Sequence, residues 1–104
     1  MSELMITKDN FEAEVLNSEL PVLVDFFATW CGPCRMLAPT IEELKADYAG
    51  RVKIVKIDVD AEPELAIRYR VASIPTLLYF KNGEVVATSL GLKPKAALED
   101  MLNA

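Results

Sequence analysis

Two cysteines separated by two residues are the part of this sequence best suited to chemistry, and they stand as Cys31-Gly32-Pro33-Cys34. They follow an apolar run that predicts a buried strand, and they lie at the start of the longest predicted helix. The unpaired N–H groups and the partial positive charge at the start of a helix favour an anion. If they favour the thiolate by about 2 kcal/mol, the pKa of Cys31 falls from about 8.5 to about 7. We therefore predict that Cys31 is a nucleophile at neutral pH.

The second cysteine has a different predicted role. Cys34 comes one turn later in the helix, where we expect it to point into the protein and to be shielded. It then attacks second and releases a partner from a mixed disulfide with Cys31. Gly32 and Pro33 add no charge between the cysteines, whereas a histidine there would make the disulfide a stronger oxidant. The pair is therefore expected to act as a reductant.

Three other roles for the two cysteines are weaker. A disulfide that closes a four-residue loop stabilises a fold by only about 2 kcal/mol, against about 3 kcal/mol for a loop of fifteen residues. A zinc site needs four ligands, and the chain has no histidine and no further cysteine, so carboxylates or a second subunit would have to complete it. Two ordinary buried cysteines would not require Gly and Pro between them at a strand-to-helix junction. We expect a redox pair and no metal.

One acidic residue interrupts the apolar strand that precedes the cysteines. Asp25 lies six residues before Cys31, and burial without full pairing raises the pKa of a carboxyl by about 3 to 5 units. Asp25 could take the proton from Cys34, directly or through a water, in place of the absent histidine. Lys56 interrupts the next apolar strand and could be its charge partner. The alternatives are a polar group at a strand end for Asp25 and a solvated edge residue for Lys56.

Three residues elsewhere are candidates for binding a substrate. Pro75 stands just before a predicted strand, where a trans proline is the default and a cis peptide would make a tight, rigid turn. Gly91 follows the last strand, where it serves a turn or leaves backbone space for a bound chain. Trp30 is the only tryptophan; it either packs in the core or shapes the approach to Cys31.

Short segments that alternate between strand and helix must position these residues. The chain has 104 residues, of which 52% are hydrophobic and 26% are charged. Such a length and composition fit one α/β domain spanning 1–104. Asn82-Gly83 separates the last two strands and predicts a hairpin with positive φ at both residues. The order is βαβαβ and then αββα, with strands over 4–6, 20–28, 52–58, 76–81 and 84–90 and helices over 9–17, 33–48, 63–69 and 94–102.

The charge balance excludes several classes of partner. Eleven basic residues against sixteen acidic ones give a net charge of −5, which disfavours binding to nucleic acid and to anionic lipid.

The first thirty residues lack the pattern of a leader peptide, and the apolar runs are too short to span a bilayer. We expect a cytoplasmic protein.

The stretch from Phe26 to Arg35 resembles the active-site motif of the thioredoxin family. The resemblance covers 4–102, and Asp25, Lys56, Pro75 and Gly91 fall at positions that the family pattern marks. Thioredoxins have a cysteine pKa of about 7, so agreement with the value above is a consistency check and not an independent prediction. The resemblance implies the thioredoxin fold, with a central mixed five-stranded sheet flanked by four helices.

The same resemblance implies roles for individual residues. Cys31 would attack, Cys34 would resolve and Asp25 would assist proton transfer, with Lys56 in support. The Ile74–Pro75 bond would be cis and would bring the Ile74 backbone beside the cysteines to pair with a substrate strand. The flat apolar surface around it would be lined by Trp30, Gly32, Pro33 and Gly91. Phe27 departs from the family, which often has Trp or Tyr there.

The resemblance also implies an activity and its partners. The chain would be a protein-disulfide reductase, an electron carrier in cell redox homeostasis that works as a monomer. Thioredoxin reductase would recharge it, because the sequence has no Gly-x-Gly-x-x-Gly loop for a dinucleotide and we expect no cofactor. Two alternatives stay open: an oxidant or isomerase of the same fold, and a binding subunit whose cysteines are incidental.

Overall fold

A computed structural model describes residues 4–104 of the chain. It contains the strands β1 (Val22–Phe27), β2 (Lys53–Asp58), β3 (Thr76–Lys81) and β4 (Glu84–Leu90). They form one sheet in the order β2-β1-β3-β4, in which β1 is parallel to β2 and antiparallel to β3, and β3 is antiparallel to β4. The expected mixed sheet is confirmed.

Four helical segments cover the two faces of this sheet. They are a π-helical turn (Glu12–Leu16), α1 (Gly32–Asp47), α2 (Pro63–Arg68) and α3 (Lys95–Asn103). The π-helical turn and α2 bury Val15 and Leu65 on one face, and α1 and α3 bury Leu37 and Leu98 on the other. The predicted α/β class is confirmed, and three of the four predicted helices are α-helices; the first, predicted over 9–17, is only the five-residue π-helical turn.

The prediction of a strand over residues 4–6, which would have been a fifth strand of the sheet, is wrong. Within the described residues, the segment 4–6 contributes a single bridge, between Met5 and Lys56. Two hydrogen bonds hold it, from the Ile6 N–H to the Lys56 carbonyl and from the Lys56 N–H to the Leu4 carbonyl. The next N–H, of Thr7, instead goes to the Asn10 side chain at 2.7 Å, which turns the chain away from the sheet. Local turn formation therefore ends the pairing.

The two elements that carry the cysteine pair form where the sequence predicts them. In β1 every residue but the last is buried, as expected for a central strand. The Asn82-Gly83 hairpin is also confirmed, since both residues have positive φ, at 53° and 81°. Because β1 and β2 are parallel, both end at the same edge of the sheet, and α1 begins at that edge.

Ion pairs join the cysteine-bearing helix to the last helix. Nζ of Lys95 lies 2.8 Å from Oδ2 of Asp47 and 3.1 Å from Oε1 of Glu43. The hydrogen bonds that Lys95 donates to Asp47 and Glu43 raise its pKa above the ordinary value, because the carboxylates favour the charged ammonium. These contacts link α3 to the outer part of α1.

Replacing Lys95 with glutamine is expected to lower the stability slightly at neutral pH, since exposed ion pairs contribute little. The folded-state pKa is raised, so the contribution is present below the unfolded-state value of about 10.5 and is lost as the pH rises through the folded-state pKa. Urea unfolding of both proteins at neutral pH and above about pH 11 measures the difference. A difference that grew with pH would contradict this account.

Candidate functional site

The two cysteines lie at the junction of β1 and α1 and are joined by a disulfide, with Cα atoms 5.2 Å apart. Cys31 is the residue that caps the N-terminus of α1, and its Sγ accepts a hydrogen bond from the Cys34 N–H at 3.2 Å. The predicted position of Cys31 at the start of the helix is confirmed. A backbone N–H directed at this sulfur favours a negative charge on it.

Burial does not separate the two cysteines as the sequence suggested. Cys31 is 4% exposed and Cys34 is 7% exposed, so Cys34 is not the more shielded of the two. The asymmetry is electrostatic instead, because the hydrogen bond from the helix reaches the sulfur of Cys31. Cys34 lies within the first turn, next to the exposed Pro33 and beyond the half-buried Gly32.

Asp25 is buried in the middle of β1, with 2% of its surface exposed. The alternative of a polar group at a strand end is therefore wrong. Its register partner in the parallel pair with β2 is Lys56, which is half-buried and places its Nζ 4.6 Å from the centroid of the Phe27 ring. Lys56 is thus packed on an aromatic ring beside the strand of Asp25 and is more than a solvated edge residue.

A cleft of about 210 Å³ connects this pair of strands to the second cysteine. Lys56, Phe27 and Cys34 all line it. Lys56, the register partner of Asp25, and Cys34, which is expected to lose a proton, therefore border the same cleft.

Trp30 lies on the surface with 67% of its area exposed, so the alternative of core packing is wrong. Its Nε1–H donates to Oδ2 of Asp60 at 2.7 Å. The sequence analysis missed Asp60, although a signal was present: Asp60 follows β2 as Trp30 follows β1, and parallel strands end at the same edge. The ring borders a groove of about 190 Å³ together with Val59 and the segment 71–74.

The Ile74–Pro75 peptide bond is cis, as the resemblance implied. The Ile74 carbonyl oxygen lies 3.9 Å from Sγ of Cys31. The Gly91 N–H donates to the Pro75 carbonyl at 2.9 Å, and Gly91 has a φ of +79°, which disfavours a side chain. A Cβ on Gly91 would meet no atom of another described residue within 4 Å, so the turn also faces open space.

The residues from 4 to 104 include no group of three or more Cys, His, Asp or Glu residues placed to hold a metal ion. Over the same range, no helix combines the length and the apolar character needed to cross a bilayer.

Comparison with known proteins finds the same family along almost the whole chain. The thioredoxin family model matches residues 2–104. A protein named thioredoxin from Haemophilus influenzae is 50% identical over 104 residues, covering 99% of this chain and 97% of that protein. A protein named thioredoxin from Porphyra purpurea is 48% identical over 103 residues, covering 99% of this chain and 96% of that protein. A protein named thioredoxin from Streptomyces clavuligerus is 55% identical over 93 residues, covering 89% of this chain and 86% of that protein.

Proposed function

Because this chain belongs to the thioredoxin family, we propose that Cys31 attacks the disulfides of target proteins and that Cys34 completes their reduction. The chain is a thiol-disulfide oxidoreductase of the protein-disulfide reductase type. One observation carries this division of roles: at the start of α1, the sulfur of Cys31 accepts a hydrogen bond from the Cys34 N–H.

In the first step, the thiolate of Cys31 attacks one sulfur of the target disulfide. A bond forms between Sγ of Cys31 and that sulfur, and the second target sulfur leaves as a thiolate. The hydrogen bond from the helix supports this step, because it stabilises the thiolate that must be present at neutral pH.

In the second step, Cys34 attacks Sγ of Cys31 and displaces the target. The target leaves with two electrons, and the Cys31–Cys34 disulfide forms. We propose that Asp25 accepts the proton that Cys34 loses, directly or through a water. Its burial supports this role, because removal from water raises the affinity of a carboxylate for a proton. Its register partner Lys56 lines the same cleft as Cys34.

We place the target strand along the segment that ends at Ile74. The Ile74 carbonyl lies 3.9 Å from the attacking sulfur, and strand addition uses exposed main-chain groups in this way. The Trp30 ring, held by Asp60, and the open turn at Gly91 would border the bound strand. Pro75, Gly32 and Pro33 would form the floor and the near edge of this surface.

The thioredoxin family works with protein disulfides and a reductase. For this chain we propose that thioredoxin reductase returns two electrons to the disulfide and that the chain acts as a monomeric electron carrier, residues 1–104 being one domain. We place it in the cytoplasm, because a disulfide reductant needs a compartment that keeps thiols reduced. A reduction potential at or above that of the glutathione pool would instead favour an oxidant or isomerase.

The direct test of the activity is insulin reduction with dithiothreitol as the electron donor. The folded protein should accelerate the precipitation of insulin chains, and failure to do so would overturn the proposed function. A variant with both cysteines replaced by serine should lose this activity. If that variant kept its biological activity, the redox-independent binding role would be favoured.

The order of attack predicts that the Cys34→Ser variant accumulates target proteins in mixed disulfides on Cys31. Without the second thiol, the bond to the target is broken only by external reductant. Incubation with a cell extract, followed by a non-reducing gel and mass spectrometry, measures the adducts. The Cys31→Ser variant is the matched control and should collect none; adducts on the control alone would reverse the assignment.

A further inference from the structure

The segment 72–74, which approaches Cys31 at Ile74, is weakly held by its own backbone. Among residues 4–104, no backbone-to-backbone hydrogen bond ties residues 72–74 to another segment. Ser73 is exposed and Ile74 is half-buried. Backbone groups that pair with a substrate must stay free in this way, so something other than main-chain pairing has to hold the segment in place.

A buried hydroxyl provides such a support. Thr76 is 3% exposed, and its Oγ1 donates to the Ser73 carbonyl at 2.6 Å, across the Ile74–Pro75 peptide. The backbone of Thr76 is itself fixed on both sides, because it begins β3 and is in register with Phe26 of β1 and Leu90 of β4. The hydroxyl therefore connects the rigid sheet to the unpaired segment.

We propose that Thr76 is a positioning residue for substrate binding, whose hydroxyl holds the Ser73–Ile74 backbone in place beside Cys31. This inference rests on the proposed function, in which the Ile74 backbone pairs with a strand of the target. Thr76 acts through Ser73 and Ile74 and takes no part in the exchange of bonds between sulfurs. Its loss should weaken the binding of an extended protein substrate and leave the reactivity of Cys31 unchanged.

Valine in place of Thr76 tests the hydroxyl with little change in volume. The methyl group that replaces Oγ1 cannot remain 2.6 Å from the Ser73 oxygen, since carbon and oxygen approach to about 3.3 Å. The carbonyl must therefore move away by roughly 0.7 Å and turn to water. Thr76→Ser keeps the donor and is the conservative variant that should restore binding.

The experiment mixes each reduced protein with excess insulin in single-turnover conditions and fits a half-saturating concentration and a maximal rate. Thr76→Val should raise the half-saturating concentration about fivefold, as expected for one hydrogen bond, and change the maximal rate by less than about twofold. Thr76→Ser should stay within about twofold of the wild type. The rate with 5,5′-dithiobis(2-nitrobenzoate), which has no strand to pair, should be the same in all three proteins.

A matched control separates positioning from stability. Tyr79→Phe also removes a buried hydroxyl from β3, one that donates to the Leu102 carbonyl at 3.1 Å, and it should leave the half-saturating concentration unchanged. The inference is overturned if Thr76→Val binds insulin like the wild type, if Thr76→Ser is equally impaired, or if the small disulfide slows as much as insulin. Failure of the wild type itself to reduce insulin would overturn the proposed function instead.

Discussion

Replacing Cys31 with serine is expected to lower the rate of protein-disulfide reduction by at least about a thousandfold. A serine hydroxyl is not ionised at neutral pH, and the hydrogen bond that the helix directs at this position then has no thiolate to stabilise. Insulin reduction at a fixed dithiothreitol concentration measures the loss against the rate without protein. Retention of more than about a tenth of the activity would show that another group attacks the target.

The ionisation of Cys31 can be measured separately in the Cys34→Ser variant, where it is the only thiol. Alkylation by iodoacetamide follows the thiolate, so its pH profile should have a midpoint below the ordinary cysteine value, because the helix N–H stabilises the thiolate. The wild type unfolded in denaturant provides the reference for a free thiol. A folded-state midpoint as high as about 8.5, the ordinary cysteine value, would remove the electrostatic basis for the attack order.

Replacing Asp25 with asparagine is expected to slow the release of targets from Cys31 by about a hundredfold at neutral pH. Asparagine is close in size to aspartic acid but cannot accept the proton that Cys34 loses. The formation of the mixed disulfide should be unaffected, so this species should accumulate. The slowing should shrink as the pH rises, because hydroxide in bulk water then removes the proton. Rapid acid quench followed by non-reducing gels resolves the two steps.

The matched control for this variant is Asp100→Asn, which changes an exposed carboxylate on α3 in the same way. It should behave like the wild type in both steps. The Asp25→Asn protein should unfold at a urea concentration no lower than the wild type, because the substitution removes a buried acid and not an apolar contact. If both steps slowed equally, Asp25 would act on the attack of Cys31 rather than on the deprotonation of Cys34.

Several features of the site were predictable because they depend on neighbours in the sequence. The strand before Cys31, the helix after it and the hairpin at Asn82-Gly83 follow from apolar periodicity and from backbone preferences of Gly and Pro. The cis bond before Pro75 came from the family resemblance, since a proline by itself predicts trans. The number of strands was overestimated, because the Thr7 N–H donates to the Asn10 side chain instead of to a neighbouring strand and so ends the first pairing early.

The sequence alone determined which residue types could perform the chemistry: two thiols two residues apart, at the start of a helix, with a carboxyl in the preceding strand. Only the tertiary structure decided which residues from distant parts of the chain meet them. The pairing of Asp25 with Lys56, the bond from Trp30 to Asp60 and the support of Ser73 by Thr76 next to Cys31 all depend on strand order and register. The physical reason is that local preferences act over a few residues, whereas register is set by burial of whole faces of the sheet.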